Sequence, residues 1–396
     1  MVCFNESGSV QDMTIKLCRT WFPRFALVAY IAYSIVFKLT TVRMTYPELG
    51  AGFFPAICEN IVLFLLFTSI VLKFKYFSLR QCALVVLTLV ILWISALRTN
   101  DFSLVYGYLV VIAVVGNDVE VLFKTYYCTV FFVLATVLIL GVTGLLYNRD
   151  HLLDGRVLFP CGILHPNDIG ALLFSAIGAM AFESWRKRTW AISLGLAVAS
   201  LLFCGVVLSS GGSTVILFLL VVTIALGHSC LAKYFERIPR WCYVCLSAVL
   251  LFALVFFALF VTVNYDGASP LIGRINQALH FRPFFSNKYF GNNGGFTLLG
   301  RQYAYISGYH NGLGFYNLDC SYSQLAMVYG LPSLGIFILN FFVLATRSNI
   351  QGRYFLVFSL LLTTCLYALM EIFPLYLYSN SLILLLPNAL ILNPGE

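Results

Sequence analysis

Apolar residues recur along this chain in runs of roughly 20, the length a helix needs to cross a ~30 Å hydrocarbon layer. Twelve such runs predict spans at Phe22–Val42, Phe53–Leu72, Gln81–Leu97, Phe102–Val115, Val121–Tyr147, Asp168–Ser184, Trp190–Leu208, Ser213–Cys230, Trp241–Val263, Cys320–Thr346, Tyr354–Glu371 and Leu375–Leu392. The fourth is the shortest. A transmembrane barrel would instead alternate apolar and polar residues in segments of ~10, and no such pattern is present. The expected fold class is all-α: a polytopic integral membrane protein of about twelve transmembrane helices. No internal repeat or low-complexity linker divides it, so residues 1–396 read as a single transmembrane domain. One long stretch, about 264–319, is not apolar and reads as a large extracytoplasmic loop.

Composition agrees with this pattern. The chain is 61% apolar and only 10% charged, too little charge to cover a soluble protein of 396 residues. Its aromatic content and low charge exclude disorder. The net charge of +8 is a topology signal rather than a nucleic-acid footprint. Most Lys and Arg sit in short alternate connections: Lys16/Arg19/Arg24, Lys73/Lys75/Arg80, Lys124, Arg186/Lys187/Arg188, Lys233/Arg237/Arg240 and Arg347/Arg353. By the positive-inside rule these connections and both termini are cytoplasmic. The first apolar run is full-length without a small-residue cleavage pattern, so it is expected to stay as a helix. The twelve cysteines are scattered, mostly inside predicted helices, and read as small packing residues. Cys161 and Cys320 fall near the outer face, where a bridge between them is one reading.

Polar residues gather at the predicted outer face in four clusters. The first is Arg156 with His165-Pro166-Asn167-Asp168, and the second is Ser209-Ser210-Gly211-Gly212-Ser213. The third is the large loop, which holds Arg274, His280, Arg282, Lys288, Arg301, His310 and Asp319 among Phe and Tyr residues, and is followed by Tyr322 and Tyr329-Gly330. The fourth is Glu371 with Asn380. Each has a structural alternative. Asn167, Asp168 and Asp319 fit helix N-caps; the serine-glycine run fits a tight turn or a small-residue packing site; Ile275–Phe285 fits an amphipathic helix on the membrane.

Arginines at a membrane surface favour diphosphates, because a guanidinium gives two parallel charge-assisted bonds to phosphate oxygens. Arg274, Arg156 and Arg301 are the first candidates, with Arg282, His280, Asn167, Ser210 and Tyr322 completing the substrate-binding set. A sugar on a lipid diphosphate is already activated, and its transfer needs a base near the attacking hydroxyl. Asp319 is the first choice, ahead of His310, His165 and Glu371. No Walker loop, strand-linked GxGxxG, HExxH or DxD pair is present, so no cofactor and no metal is expected.

At these residues the chain resembles the O-antigen polymerase and ligase superfamily, specifically the Wzy-type polymerases of surface polysaccharides. The resemblance rests on His165-Pro166-Asn167-Asp168-Ile169-Gly170, Ser209–Ser213, Gly273-Arg274 opening the loop, Leu318-Asp319-x-x-Tyr322, Tyr329-Gly330-Leu331, and the late Glu371 and Asn380. It implies a fold like the GT-C membrane glycosyltransferases and a location in the bacterial cytoplasmic membrane. The implied substrate is an undecaprenyl-diphosphate-linked oligosaccharide, joined repeat to repeat outside the membrane without metal. A flippase and a chain-length regulator are the implied partners, and nucleic acid is not one. Two departures bear on residue roles. Many relatives have Ser-Arg where this chain has Ser209-Ser210, and ligase relatives often have His-Asn where it has Asp319-Cys320, which favours a polymerase. The rival readings are a ligase-like transferase and a flippase or transporter of lipid-linked sugars.

Overall fold

A computed structural model describes residues 10–46, 53–73, 77–147, 152–153, 156–157, 162–185, 187–208, 210–229, 231–279, 281–302, 318–347 and 353–387. The helices are α1 (Val10–Ser34, continued by a π-turn Ile35–Leu39), α2 (Phe53–Lys73), α3 (Leu79–Thr99), α4 (Ser103–Ala113), α5 (Val119–Val142), α6 (Pro166–Ser184) and α7 (Trp190–Leu202, continued by a π-turn Phe203–Val207). They are followed by α8 (Gly211–Gly227), α9 (Ala232–Arg237), α10 (Arg240–Val263), α11 (Pro270–Ala278), α12 (Arg282–Asn292), α13 (Leu331–Arg347) and α14 (Tyr354–Tyr367). A two-residue ladder pairs Leu152–Leu153 with Arg156–Val157. Among the described residues, six helices are long and apolar enough to cross a membrane: Arg19–Leu39, Phe53–Lys73, Leu79–Thr99, Val119–Val142, Trp190–Val207 and Arg240–Val263. Four more apolar helices are shorter, namely Ser103–Ala113, Gly211–Gly227, Leu331–Thr346 and Tyr354–Tyr367.

Burial sorts these helices into a centre and a rim. On α2 and α3 large apolar side chains such as Phe64, Val71 and Leu84 are exposed. An apolar face left open over whole helices is what a hydrocarbon surround tolerates and water does not. α6 is the opposite case: its sequence PNDIGALLFSAIGAMAFES is rich in Gly, Ala and Ser, and most of it is buried. Small side chains let helix backbones approach closely, and α6 packs on α5, α7 and α8. The tightest approach is to α8, where a Cβ on Gly170 would lie 2.0 Å from Ser213 Oγ and 3.1 Å from its Cα. Rotating Ser213 away leaves the clash with its backbone. Gly170→Val is therefore expected to force α6 and α8 apart and to destabilise the protein by about 3 kcal/mol or more, read as a lower melting temperature of the purified protein; an unchanged melt would show that this crossing is loose.

Three expectations differ from the structure. The tenth run is not one helix. It begins as Ser321–Gln324, passes through a π-turn at Leu325–Tyr329, breaks at Gly330 and resumes as α13. Gly330 has φ 100, and a Cβ there would meet Leu298 O at 2.6 Å. The cause is the long polar loop, which lays residues 297–301 against the π-turn: Thr297 N–H donates to Ala326 O (3.1 Å), Arg301 N–H to Val328 O (2.8 Å) and Leu331 N–H to Thr297 O (2.9 Å).

Over residues 373–385 the twelfth run is not an α-helix either but three successive 3-10 turns, and its end beyond residue 387 lies outside the described residues. Ser379, Asn380 and Ser381 compete with the backbone for its own partners. Asn380 Nδ2 donates to Pro374 O (2.7 Å) and Ser381 Oγ to Ser175 O (2.9 Å). Irregular backbone away from water must be satisfied inside the protein. Here the Ser381 N–H donates to Ser175 Oγ (2.6 Å) and Tyr126 OH to Tyr378 O (2.8 Å).

The single amphipathic helix expected at Ile275–Phe285 is two helices, α11 and α12. Between them Phe281 takes φ 65, and Pro283 sits in the first turn of α12. The chain's one C-x-x-C, Cys242 and Cys245, lies inside α10 with both thiols free.

Candidate functional site

The start of α6 sets the site. His165 is its N-cap: Nδ1 accepts the Asn167 N–H at 3.2 Å, and Pro166 opens the helix with the fixed φ that a first turn favours. Asn167 and Asp168 are therefore not the caps. Asn167 instead reaches sideways. Its Nδ2 donates to Glu371 Oε1 at 2.6 Å, and its Oδ1 accepts from Ser210 Oγ. Ser210 is in turn the N-cap of α8, accepting the Ser213 N–H at 3.4 Å. The glycine contact at residue 170 is what brings these two helix starts within reach of one another.

Arg282 enters from the loop. The elbow before α12 is held by Asn276, whose carbonyl accepts the Phe281 N–H (2.7 Å) and whose Oδ1 accepts the Phe284 N–H (3.1 Å). This aims Arg282 into the bundle. Its Nε donates to Met370 O (3.0 Å), and its Nη2 lies 3.1 Å from Glu371 Oε1 and 3.4 Å from Asp319 Oδ2. Glu371 is pinned from behind, since its carbonyl accepts from Ser321 Oγ. Five segments distant in sequence thus meet through one cluster of hydrogen bonds and ion pairs.

One guanidinium faces two carboxyl groups here, and both lie outside the helices. Burial raises Asp319 above its ordinary range, while Arg282 pulls it down. Burial also raises Glu371, and the Asp319 charge adds to this, against Arg282 and Asn167. Access separates the two: the Asp319 side chain is 28% exposed and the Glu371 side chain 6%. Asp168 is buried in the first turn of α6. Beside the cluster, the hydroxyls of Tyr367 and Ser213 are buried with no hydrogen-bond partner among the described residues.

The other predicted residues lie apart from it. Arg274 is exposed on α11. Arg301 Nη2 is committed to the carbonyls of Gly295 (2.8 Å) and Phe296 (3.2 Å), which steadies the loop. Tyr322 is fully buried and donates to Cys365 O at 2.8 Å. His165 is exposed at its cap position. The Arg156 backbone lies in the short ladder. Its side chain, His280, His310 and Cys161 lie outside the described residues, and Cys320 is a buried free thiol.

A second polar network was not anticipated from the sequence. Lys38 Nζ donates to Ser103 Oγ, Ser103 and Tyr329 both donate to Asp101, and Tyr329 OH lies 3.2 Å from Tyr376 OH. Tyr106 OH donates to Glu59. The available signal was a charge inside the first apolar run, since ionisable residues within spans are rare and paired. A narrow apolar cavity of about 80 Å³ adjoins this network, lined by Val111, Leu325, Ser333, Leu344 and Leu375 among others. From Ser333 to Leu344 it follows α13 for ~16 Å at 1.5 Å per residue. Among the described residues, no three His, Cys, Asp or Glu side chains are grouped as a metal site would need. No protein-family model, curated protein or solved structure matches the chain.

Proposed function

We propose that this protein is a polysaccharide polymerase, a metal-independent membrane glycosyltransferase that joins undecaprenyl-diphosphate-linked oligosaccharide repeats at the outer face of the bacterial cytoplasmic membrane. The observation that supports it most is the convergence of Asn167, Ser210, Arg282, Asp319 and Glu371 at one end of the bundle, with one carboxylate open and one guanidinium beside it. In this reading Asp319 accepts the proton of the attacking sugar hydroxyl. The oxygen bonds to the anomeric carbon of the growing chain as the bond from that carbon to the diphosphate oxygen breaks. Undecaprenyl diphosphate leaves with the electron pair, and Arg282 stabilises the charge that develops. The apolar cavity along α13 covers about half of a ~30 Å hydrocarbon layer, enough for part of a prenyl chain. The proposal keeps both termini cytoplasmic and a GT-C-like, twelve-crossing topology, with the last segment returning through the bundle as 3-10 turns.

Purified protein in lipid nanodiscs, given a synthetic lipid-diphosphate repeat, is expected to yield lengthened oligosaccharide and free lipid diphosphate in equal amounts. Neither product appearing would overturn the reading. A ligase-like transferase would release the same diphosphate but use a different acceptor. A carrier for the lipid-linked sugar is the second reading, favoured by the half-buried Lys38–Ser103–Asp101 chain; it would move labelled substrate across a vesicle membrane with no bond made.

Arg274, exposed on α11, is in this proposal a ligand for the incoming diphosphate. Arg274→Ala is expected to lower turnover about 10- to 100-fold, the loss of one or two charge-assisted bonds, with no change in melting temperature. Full activity in that variant would remove Arg274 from the mechanism.

A further inference from the structure

The end of the bundle opposite the carboxyl cluster carries a cavity of about 290 Å³ whose walls include Trp185, Phe235, Tyr243, Tyr354 and Phe355, with Glu236 as its one charged lining residue among those described. The walls are fixed. Phe235 and Phe355 stack in parallel, 4.2 Å apart and 12° from coplanar. Tyr243 OH donates to Phe235 O at 2.8 Å. Trp185 packs against Gly227, where a Cβ would come within 2.0 Å of its ring, and His228, stacked on Trp190 at 4.2 Å, meets the Trp185 ring edge-on and places Nε2 3.0 Å from Trp185 O.

This end of the molecule is otherwise basic, yet four of its cations are engaged outside the cavity. Lys187 pairs with Glu183 and Glu120, Arg353 pairs with Glu120 and lies over Phe182, and Arg240 donates to Thr346 O while covering one face of Tyr354. Arg237 packs over Tyr234. None of the four lines the cavity. A preformed aromatic box with a single carboxylate is the environment that attracts a cation, because ring faces carry negative potential. An anionic headgroup or nucleotide would find no counter-charge in it.

We propose that this cavity binds an organic ammonium group, carried either by the headgroup of an ethanolamine- or choline-type phospholipid or by a free small amine. The inference is independent of the chemistry assigned to the other end of the bundle. Two measurements test it. The first places the full-length protein in nanodiscs of phosphatidylethanolamine and phosphatidylglycerol and determines by native mass spectrometry which lipid is retained. The second titrates ethanolamine and choline into the detergent-solubilised protein and follows Trp185 fluorescence against a Trp185→Phe control.

The expected result is preferential retention of the ammonium lipid, or saturable binding of the free amine, and each arm identifies its own source. Glu236→Gln and Phe355→Ala are each expected to weaken that binding about tenfold. Glu236 is exposed, so its variant tests the site without threatening the fold. Equal or greater retention of phosphatidylglycerol, or ammonium binding unchanged by Glu236→Gln, would overturn the proposal.

Discussion

Asp319→Asn is expected to lower chain-joining turnover by about 100- to 10,000-fold, the usual contribution of a general base, while melting stays within a few degrees of the parent. The amide keeps the shape and a contact with Arg282 but cannot take a proton. Stability survives because Asp319 is the more exposed of the two carboxyls and its ion pair with Arg282 Nη2 is the longer one, at 3.4 Å. The pH profile supplies a second readout. A base works when deprotonated, so activity should fall as pH falls through the Asp319 pKa. Burial raises that pKa, which places the acid limb above the ordinary carboxylate range. The same variant should also let Glu371 ionise more readily, since the Asp319 charge is one cause of its raised value. Retained turnover would pass the role of base to Glu371 or His165.

Arg282→Ala is expected to lose both turnover and stability, the latter by about 3–5 kcal/mol, the usual cost of breaking a buried ion pair from one side. Arg282 and Glu371 are 17% and 6% exposed, so solvent does little to replace the lost partner. The Met370 carbonyl loses its donor as well. Arg282→Lys should recover part of the stability and little of the turnover, because an ammonium has neither the Nε donor nor the planar fork. Pairing Arg282→Met with Glu371→Leu separates the two roles, since an apolar pair can replace a buried ion pair at little cost. Its melt should approach that of the parent with activity still absent. Normal turnover in Arg282→Ala would make the cluster incidental to the chemistry.

The apolar runs carried most of the fold. The second span was read as Phe53–Leu72 and is Phe53–Lys73, and the ninth was read as Trp241–Val263 and is Arg240–Val263. Hydropathy locates such segments because it reports removal from water. It does not report how the backbone is satisfied once there, which is why 375–392 reads as a spanning helix although Ser175 and Tyr126 hold its described part, up to Leu385, in 3-10 turns.

The candidate site divides along the same line. Asn167, Ser210, Asp319 and Glu371 were legible as polar residues at predicted helix ends, and Arg282 as one of several cations in the large loop. Which arginine would be aimed inward was not, because the choice depends on the Phe281 elbow and on the carbonyls that claim Arg301. Lys38 and Asp101 were hidden within and beside apolar runs, each too isolated in sequence to mark a cluster.

The crossing of α6 and α8 has a mechanical outcome. The Gly170 backbone sits directly on Ser213, with only the serine's own small side chain between the two helices, so the crossing has little to compress and acts as a stiff plate that fixes Asn167 and Ser210 together. Compliance near the cluster lies instead at the Phe281 bend. A swing there would carry Arg282 away on α12 and leave the amide, the hydroxyl and both carboxyls standing in register.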